Sequence, residues 1–174
     1  MNALLEIDRR WTARLRLPED SRRLRALAGF LAHSGDSWFW GAALALIWLF
    51  SGPPERSFSL ERSWSLRMFA AIAVTALIVT SLKFIIRRQR PSGEWGSIYR
   101  KADPHSFPAG HAARGALIAV LVSGWGPAWM IPWAILWALS MPLARVAMGL
   151  HYLSDTVAGA TFGMLIALGF LIYL

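Results

Sequence analysis

Three short stretches of this chain hold side chains able to handle a phosphate. Lys83, Arg87 and Arg90 recur at i, i+4 and i+7, so a helix continued through them carries all three on one stripe. Pro91 then ends that helix beside Arg90. His151 and Asp155 stand at i and i+4, a spacing that lets the carboxylate accept a hydrogen bond from one imidazole nitrogen. Arg145 precedes His151 by six residues, about 240° around a continuous helix. Gly149 supplies the break that would bring both groups to one pocket. Pro108-Ala109-Gly110-His111 opens a further apolar run, and the free backbone N–H groups and dipole at such a helix start favour an anion. Arg114, one turn beyond His111, is placed either to reach a substrate or to bond a neighbouring loop. Lys83, Arg90 and Arg145, with a helix N-terminus, suit phosphoryl oxygens. One His oriented by a carboxylate can act as nucleophile, and a second as general acid. The set lacks the paired carboxylates that hold Mg²⁺ or Ca²⁺ and a helix-spaced pair of His ligands. The expectation is a phosphohydrolase with no metal and no other cofactor.

The elements that must position these residues are those of a membrane protein. The 174 residues are 56% hydrophobic, include ten Trp and carry a net charge of +8. Charged residues make up 16%, against about 25% in a soluble domain, and residues 115–144 and 156–174 contain none. Uncharged apolar runs of that length read as membrane spans, which excludes a soluble nucleic-acid binder and a disordered basic tail. Without Cys, disulfides and thiolate metal sites are excluded as well. Arg9, Arg10, Arg14 and Arg16 have no apolar stretch between them, unlike a cleavable signal peptide.

Residues 1–33 are expected to form an amphipathic lead on the headgroup layer, with Ile7, Trp11, Leu15 and Leu17 among its apolar residues. Residues 37–174 are the spanning core of what reads as a single domain. Apolar runs near 37–50, 68–86, 108–126, 128–147 and 154–174 are separated by Gly52-Pro53-Pro54, by Pro91 with the polar loop after it, and by Gly126-Pro127. The fold class implied is all-α: a polytopic transmembrane bundle of about five spans plus an N-terminal interfacial helix. Trp38, Trp64, Trp125, Trp129 and Trp133 sit near the ends of these runs, as an aromatic belt requires. Counting crossings puts the ends of spans two and four and the starts of spans three and five on one face. Lys83, Arg90, His111, Arg114, Arg145, His151 and Asp155 all fall there, and ionisable groups at spans mark function by default. Arg87 is divided between this cluster and snorkelling to headgroups; Arg88, Arg100 and Lys101 are read as headgroup flanks. His33 and His105 lack a spaced partner and read as hydrogen-bonded surface groups. Gly159 and Gly163 read as a close helix contact.

Lys83-Phe-Ile-Ile-Arg-Arg-Gln-Arg90-Pro91, Pro108-Ala-Gly-His111, and Ala144-Arg145 with His151 and Asp155 together resemble the three-part signature of the type-2 phosphatidic acid phosphatase superfamily. The resemblance covers residues 83–155 with the internal spacings intact. It implies that His151 attacks phosphorus, Asp155 orients it and His111 protonates the leaving oxygen. Lys83, Arg90, Arg145 and the backbone at Ala109 and Gly110 would hold the phosphoryl group. Two positions depart from the family: Ala109 stands where it has Ser, and Ala144 where it often has Ser. A lost hydroxyl donor to a charged group costs roughly 1.5–3 kcal/mol. The N–H groups of Gly110 and His111 remain, so a weakened site is expected, although an engineered or inactive relative would carry the same change.

The implied protein is an integral membrane phosphatase acting on a lipid phosphomonoester or diphosphate through a phosphohistidine. Phosphatidic acid, phosphatidylglycerol phosphate, a lipid A phosphate and a polyprenyl diphosphate are all candidates. The rivals are a dedicated polyprenyl diphosphate phosphatase and a lipid-phosphate binding or transport protein without turnover. The partners are the lipid substrate and the bilayer, with no nucleic acid; the oligomeric state is left open. For the membrane face, two arguments oppose each other. Of 18 Lys and Arg, 15 fall on the side of the cluster, which by the positive-inside rule is cytoplasmic. Eight of those 15 lie in the motifs and their loops, where phosphate chemistry accounts for them. The resemblance favours the extracytoplasmic face of the plasma membrane, which is the expectation adopted.

Overall fold

The computed structural model describes residues 2–18, 21–51, 60–92 and 103–173. Gly52-Pro53-Pro54, Arg100 and Lys101 lie outside them. Seven α-helices are described: α1 (Asn2–Arg14), α2 (Arg22–His33), α3 (Ser37–Phe50), α4 (Leu60–Ile86), α5 (Gly110–Trp125), α6 (Ile131–Ala147) and α7 (Leu153–Tyr173). A 3₁₀ turn (Ala128–Met130) leads into α6.

α5 is the innermost helix. Ala112, Ala113, Leu117, Ile118, Leu121 and Val122 along it are buried, and Leu44, Met68, Ala71, Ile72 and Ala167 from α3, α4 and α7 complete that core. Small residues set its distance to α7. A Cβ built on Gly159 would lie 2.3 Å from the Ala109 carbonyl oxygen, and one on Gly163 only 1.9 Å from that of Ala113. These two glycines therefore fix how closely the start of α5 approaches α7, and with it the spacing of the site.

The outer faces are apolar. Leu49, Leu77, Ile85, Trp129, Leu139 and Leu165 are among the large side chains turned outward. A water-soluble bundle would not expose this much hydrocarbon, whereas a bilayer requires it. Among the described residues, three helices are long and apolar enough to cross: Arg62–Ile86, Ala128–Ala147 and Leu153–Tyr173, with mean hydropathies of 2.3, 1.4 and 1.9. α3 and α5 are shorter, with 14 and 16 residues. At 1.5 Å per residue they reach about 21 and 24 Å, against a hydrocarbon layer of about 30 Å.

α1 packs against the bundle along one edge. Leu5, Ile7, Trp11 and Leu15 face outward, as the amphipathic reading expects. The opposite edge caps α7. Thr12 Oγ1 accepts from the Leu153 N–H (3.1 Å), Asp8 Oδ1 from the Ser154 N–H (3.0 Å), and Asp155 Oδ2 from the Tyr152 N–H (2.9 Å). The first N–H groups of α7 have no intrahelical acceptor, and α1 supplies two of those missing. α2 packs on the end of α6 through Ala28, Ala32, Ala144 and Met148. This contact explains Ala144: a serine there would bury its hydroxyl in an apolar seam.

Candidate active site

His151 lies in the turn between α6 and α7 and is 1% exposed. Gly149 at φ +70° turns the chain out of α6, and the Leu150 N–H returns to the Arg145 carbonyl (2.9 Å), so Arg145 and His151 serve one pocket despite their spacing. The Nδ1 of His151 donates to the Ser106 carbonyl (2.8 Å), and Arg90 Nη1 lies 3.1 Å from Nε2. A carbonyl can only accept and a guanidinium only donate, so both contacts select the neutral tautomer with its lone pair on Nε2. Burial first, then the charges of Arg145, Arg90 and Lys83, push this imidazole well below its ordinary value of 6.5.

The direct His151–Asp155 hydrogen bond expected from the i, i+4 spacing is corrected by the geometry. Asp155 Oδ2 stands 3.7 Å from Nδ1, beyond hydrogen-bond reach, and Ser106 takes that nitrogen instead. Asp155 is fully buried and accepts from Arg88 Nη1 (2.7 Å) and the Tyr152 N–H. Arg88 also donates to Asp8 (2.7 Å) and Ser154 (2.6 Å) and lies over the Tyr152 ring at 4.2 Å. The headgroup role expected for Arg88 is thus corrected too: it is an internal tie between α1, α7 and the loop after α4.

Arg87 leaves the cluster. α4 stops at Ile86, Arg87 takes φ 51°, and its Nε donates back to the Phe84 carbonyl (2.8 Å) from an exposed position. The stripe of three cations is therefore interrupted, and Arg90 reaches the pocket from the loop, not the helix. Arg90 and Lys83 meet on Asp103. Lys83 Nζ and Arg90 Nη2 (2.9 Å) both donate to Asp103 Oδ2, while Arg90 Nε takes the Asp103 carbonyl (2.8 Å) and Nη1 that of Leu150 (2.8 Å). Burial alone would raise the Asp103 carboxyl, but the bond and charge of Lys83, aided by Arg90, hold it below the usual range. A carboxylate thus sits between two cations expected to grip phosphate.

His111, at the first turn of α5, donates from Nε2 to Asp36 Oδ1 (2.8 Å), and Arg145 Nη1 lies 3.1 Å from the same nitrogen. Arg145, 1% exposed, also donates to the Ala32 carbonyl (3.3 Å). Arg114 takes the loop-bonding half of its alternatives: it donates to the Gly35 carbonyl and the Ser37 hydroxyl. His33, expected to lack a partner, has Nδ1 3.1 Å from Asp36 Oδ2. His105 packs edge-on against Phe84. Ala109 is buried, and its N–H donates to the Asp155 carbonyl (2.9 Å), so neither its side chain nor its N–H can serve phosphate. The Ala113 N–H is bonded to Ala109, which leaves those of Gly110, His111 and Ala112 without an intrahelical acceptor.

Sequence reasoning missed Asp36, Asp103, Asp8 and Ser106. In the structure Asp36 precedes α3 at the N-cap position, yet makes no side-chain cap. A capping residue that does not cap is spending its carboxylate elsewhere.

A family model described as the PAP2 superfamily matches residues 64–174. The chain is 29% identical over 147 residues to a decaprenylphosphoryl-5-phosphoribose phosphatase of Mycobacterium tuberculosis, covering 83% of this chain and 77% of the relative. It is 26% identical over 147 residues to an undecaprenyl-diphosphatase of Sulfolobus acidocaldarius, covering 80% and 66%. Its fold is similar to that of a crystal structure of a transmembrane PAP2 type phosphatidylglycerolphosphate phosphatase from Bacillus subtilis. There the TM-score is 0.77 at 22% identity, over 98% of this chain and 85% of that one. For Aquifex aeolicus LpxE the TM-score is 0.70 at 21% identity, over 97% and 94%. The matched segment runs through all three motifs, and the same helical membrane architecture recurs in both solved structures: the chain belongs to the PAP2 superfamily.

Proposed function

We propose that this protein is an integral membrane phosphatase that hydrolyses a phosphomonoester or a diphosphate on a lipid, one phosphoryl group at a time, through a phosphohistidine. His151 Nε2 attacks phosphorus and the P–O bond to the lipid breaks. Nδ1 keeps its proton on Ser106, and the charge that develops on the ring is offset by Asp155 nearby. His111 protonates the departing oxygen, then takes a proton from the water that cleaves the P–N bond, restoring both imidazoles. Lys83, Arg90, Arg145 and the N–H groups of Gly110 and His111 hold the phosphoryl oxygens, whose charge they neutralise without a metal. For the phosphate to reach Lys83 and Arg90, the Asp103 carboxylate must give up its place between them. The proposal includes five crossings with short α3 and α5, α1 in the interface, one domain over residues 1–174, and a catalytic face outside the cytoplasm.

The observation that carries it is His151: a buried, neutral imidazole with a fixed tautomer, its unprotonated Nε2 accepting from the Arg90 guanidinium, which phosphate must displace, in a pocket of three cations. The names of the relatives favour polyprenyl-linked phosphates as the first substrates to try. The test is phosphate release from a panel of polyprenyl and glycerol lipid phosphates in detergent, with acid-quenched labelling of the protein. The expected result is turnover that survives EDTA and a trapped N-phosphohistidine that disappears in His151→Ala. Phosphate binding without release from any lipid would instead favour the binding or transport reading.

A further inference from the structure

The general acid proposed above is not held by the matched segment. Its partner, Asp36, belongs to the turn between α2 and α3, ahead of residues 64–174. Both carboxylate oxygens are used: Oδ1 accepts from His111 Nε2 at 2.8 Å, and Oδ2 stands 3.1 Å from His33 Nδ1. The backbone around Asp36 is clamped, since Arg114 of α5 donates to the Gly35 carbonyl on one side and the Ser37 hydroxyl on the other. The residue forgoes capping α3 to make these contacts.

We propose that Asp36 is a positioning residue for His111, fixing its ring and supplying the negative charge that lets it act as an acid. The charged groups facing His111 are Asp36 from the α2–α3 turn, Arg145 from α6 and Arg114 on its own helix. Two of the three are cations, and Arg145 Nη1 is 3.1 Å from the ring. Asp36 supplies the negative charge that offsets them. With Nε2–H committed to Asp36, the ring keeps Nδ1–H for the leaving oxygen. That proton moves to oxygen as the P–O bond breaks, and the attacking water later returns one to Nδ1. Asp36 stays ionised throughout, its carboxyl held below the usual range because the bonds from His111 and His33 outweigh its burial.

The inference rests on His111 being the acid, so the test separates the two. A departing 4-nitrophenolate needs little help from an acid, whereas an alkoxide needs much. Rates are measured on 4-nitrophenyl phosphate and on dioctanoyl phosphatidic acid, for the unsubstituted protein, His111→Asn, Asp36→Asn and Asp36→Glu. The expected result is that Asp36→Asn slows first-turnover release of diacylglycerol from the alkyl phosphate about tenfold or more and spares first-turnover release of 4-nitrophenolate, since the water step shared by both substrates comes later. Asp36→Glu, which keeps the charge, recovers part of the loss. An equal loss on both substrates, or no loss on either, overturns the role of Asp36 if His111→Asn still discriminates between them. If His111→Asn does not discriminate, or if no lipid phosphate of the panel above is cleaved, the parent reading falls and this one with it.

Discussion

His151 is neutral because its proton would have to share a dry pocket with three cations. A base whose protonation is opposed stays unprotonated as pH falls, so the nucleophilic form persists below the 6.5 of an ordinary imidazole. Histidine-selective ¹⁵N NMR of the substrate-free protein, with His151→Ala to assign the signal, is expected to show that ring neutral at pH 6.5. A half-protonated ring there would contradict the pocket as described. Ala109 provides a second expectation at this scale. Its N–H is spent on Asp155 and its methyl offers no donor. A hydroxyl added by Ala109→Ser is expected to raise kcat, by about tenfold for each 1.4 kcal/mol of transition-state stabilisation recovered. A fall in rate would mean that the buried position has no room for it. The motif residues were legible because their chemical types stand at short, fixed spacings within each motif. Asp103 and Asp36 were not, since a carboxylate that bonds a side chain 20 or 75 residues away leaves no periodic trace.

At the scale of elements, two contacts fix the pocket, and both can be tested by stability. The first is α5 against α7. Gly163→Ala puts a Cβ 1.9 Å from a backbone oxygen that cannot turn aside, while Gly169 on the same helix has nothing within 4 Å of its Cβ position. Forced overpacking costs about 1–3 kcal/mol or more, which lowers Tm by roughly 2–4 °C per kcal/mol in a chain of this size. Gly163→Ala is expected to lose several degrees and most activity, and Gly169→Ala to lose neither. The second contact is α1 on α7. Asp8→Ala removes the acceptor for the Ser154 N–H and hydroxyl and one partner of Arg88. Bonds to charged groups contribute about 1.5–3 kcal/mol each, so thermal unfolding in detergent is expected several degrees lower than for the unsubstituted protein. Asp8→Asn, which keeps an acceptor, should lie between them. Leu5, Ile7 and Trp11 of α1 are exposed. Its polar face was unreadable, because a helix cap supplied by another helix has no local signature.

For the whole molecule, α3 to α7 bring the ends that bear polar residues together, and α7 runs away from that cluster. A reporter active only in the cytoplasm, fused after Leu174, is expected to be active if the catalytic face is outside; activity of a periplasm-only reporter would reverse the orientation. The membrane class and the approximate helices were determined by sequence, because apolar length and uncharged runs depend only on which residues adjoin. So was the set of candidate cations and histidines, because a phosphate needs those chemical types whatever the packing. Only the tertiary structure decided which of them share a pocket. It sent Arg87 outward at the end of α4, turned Arg88 inward to Asp155 and Asp8, gave the His151 ring to Ser106, and paired His111 with Asp36. The physical reason is the cost of buried charge: each such group must find a partner from whichever element folding brings beside it, and that element is rarely its neighbour in sequence.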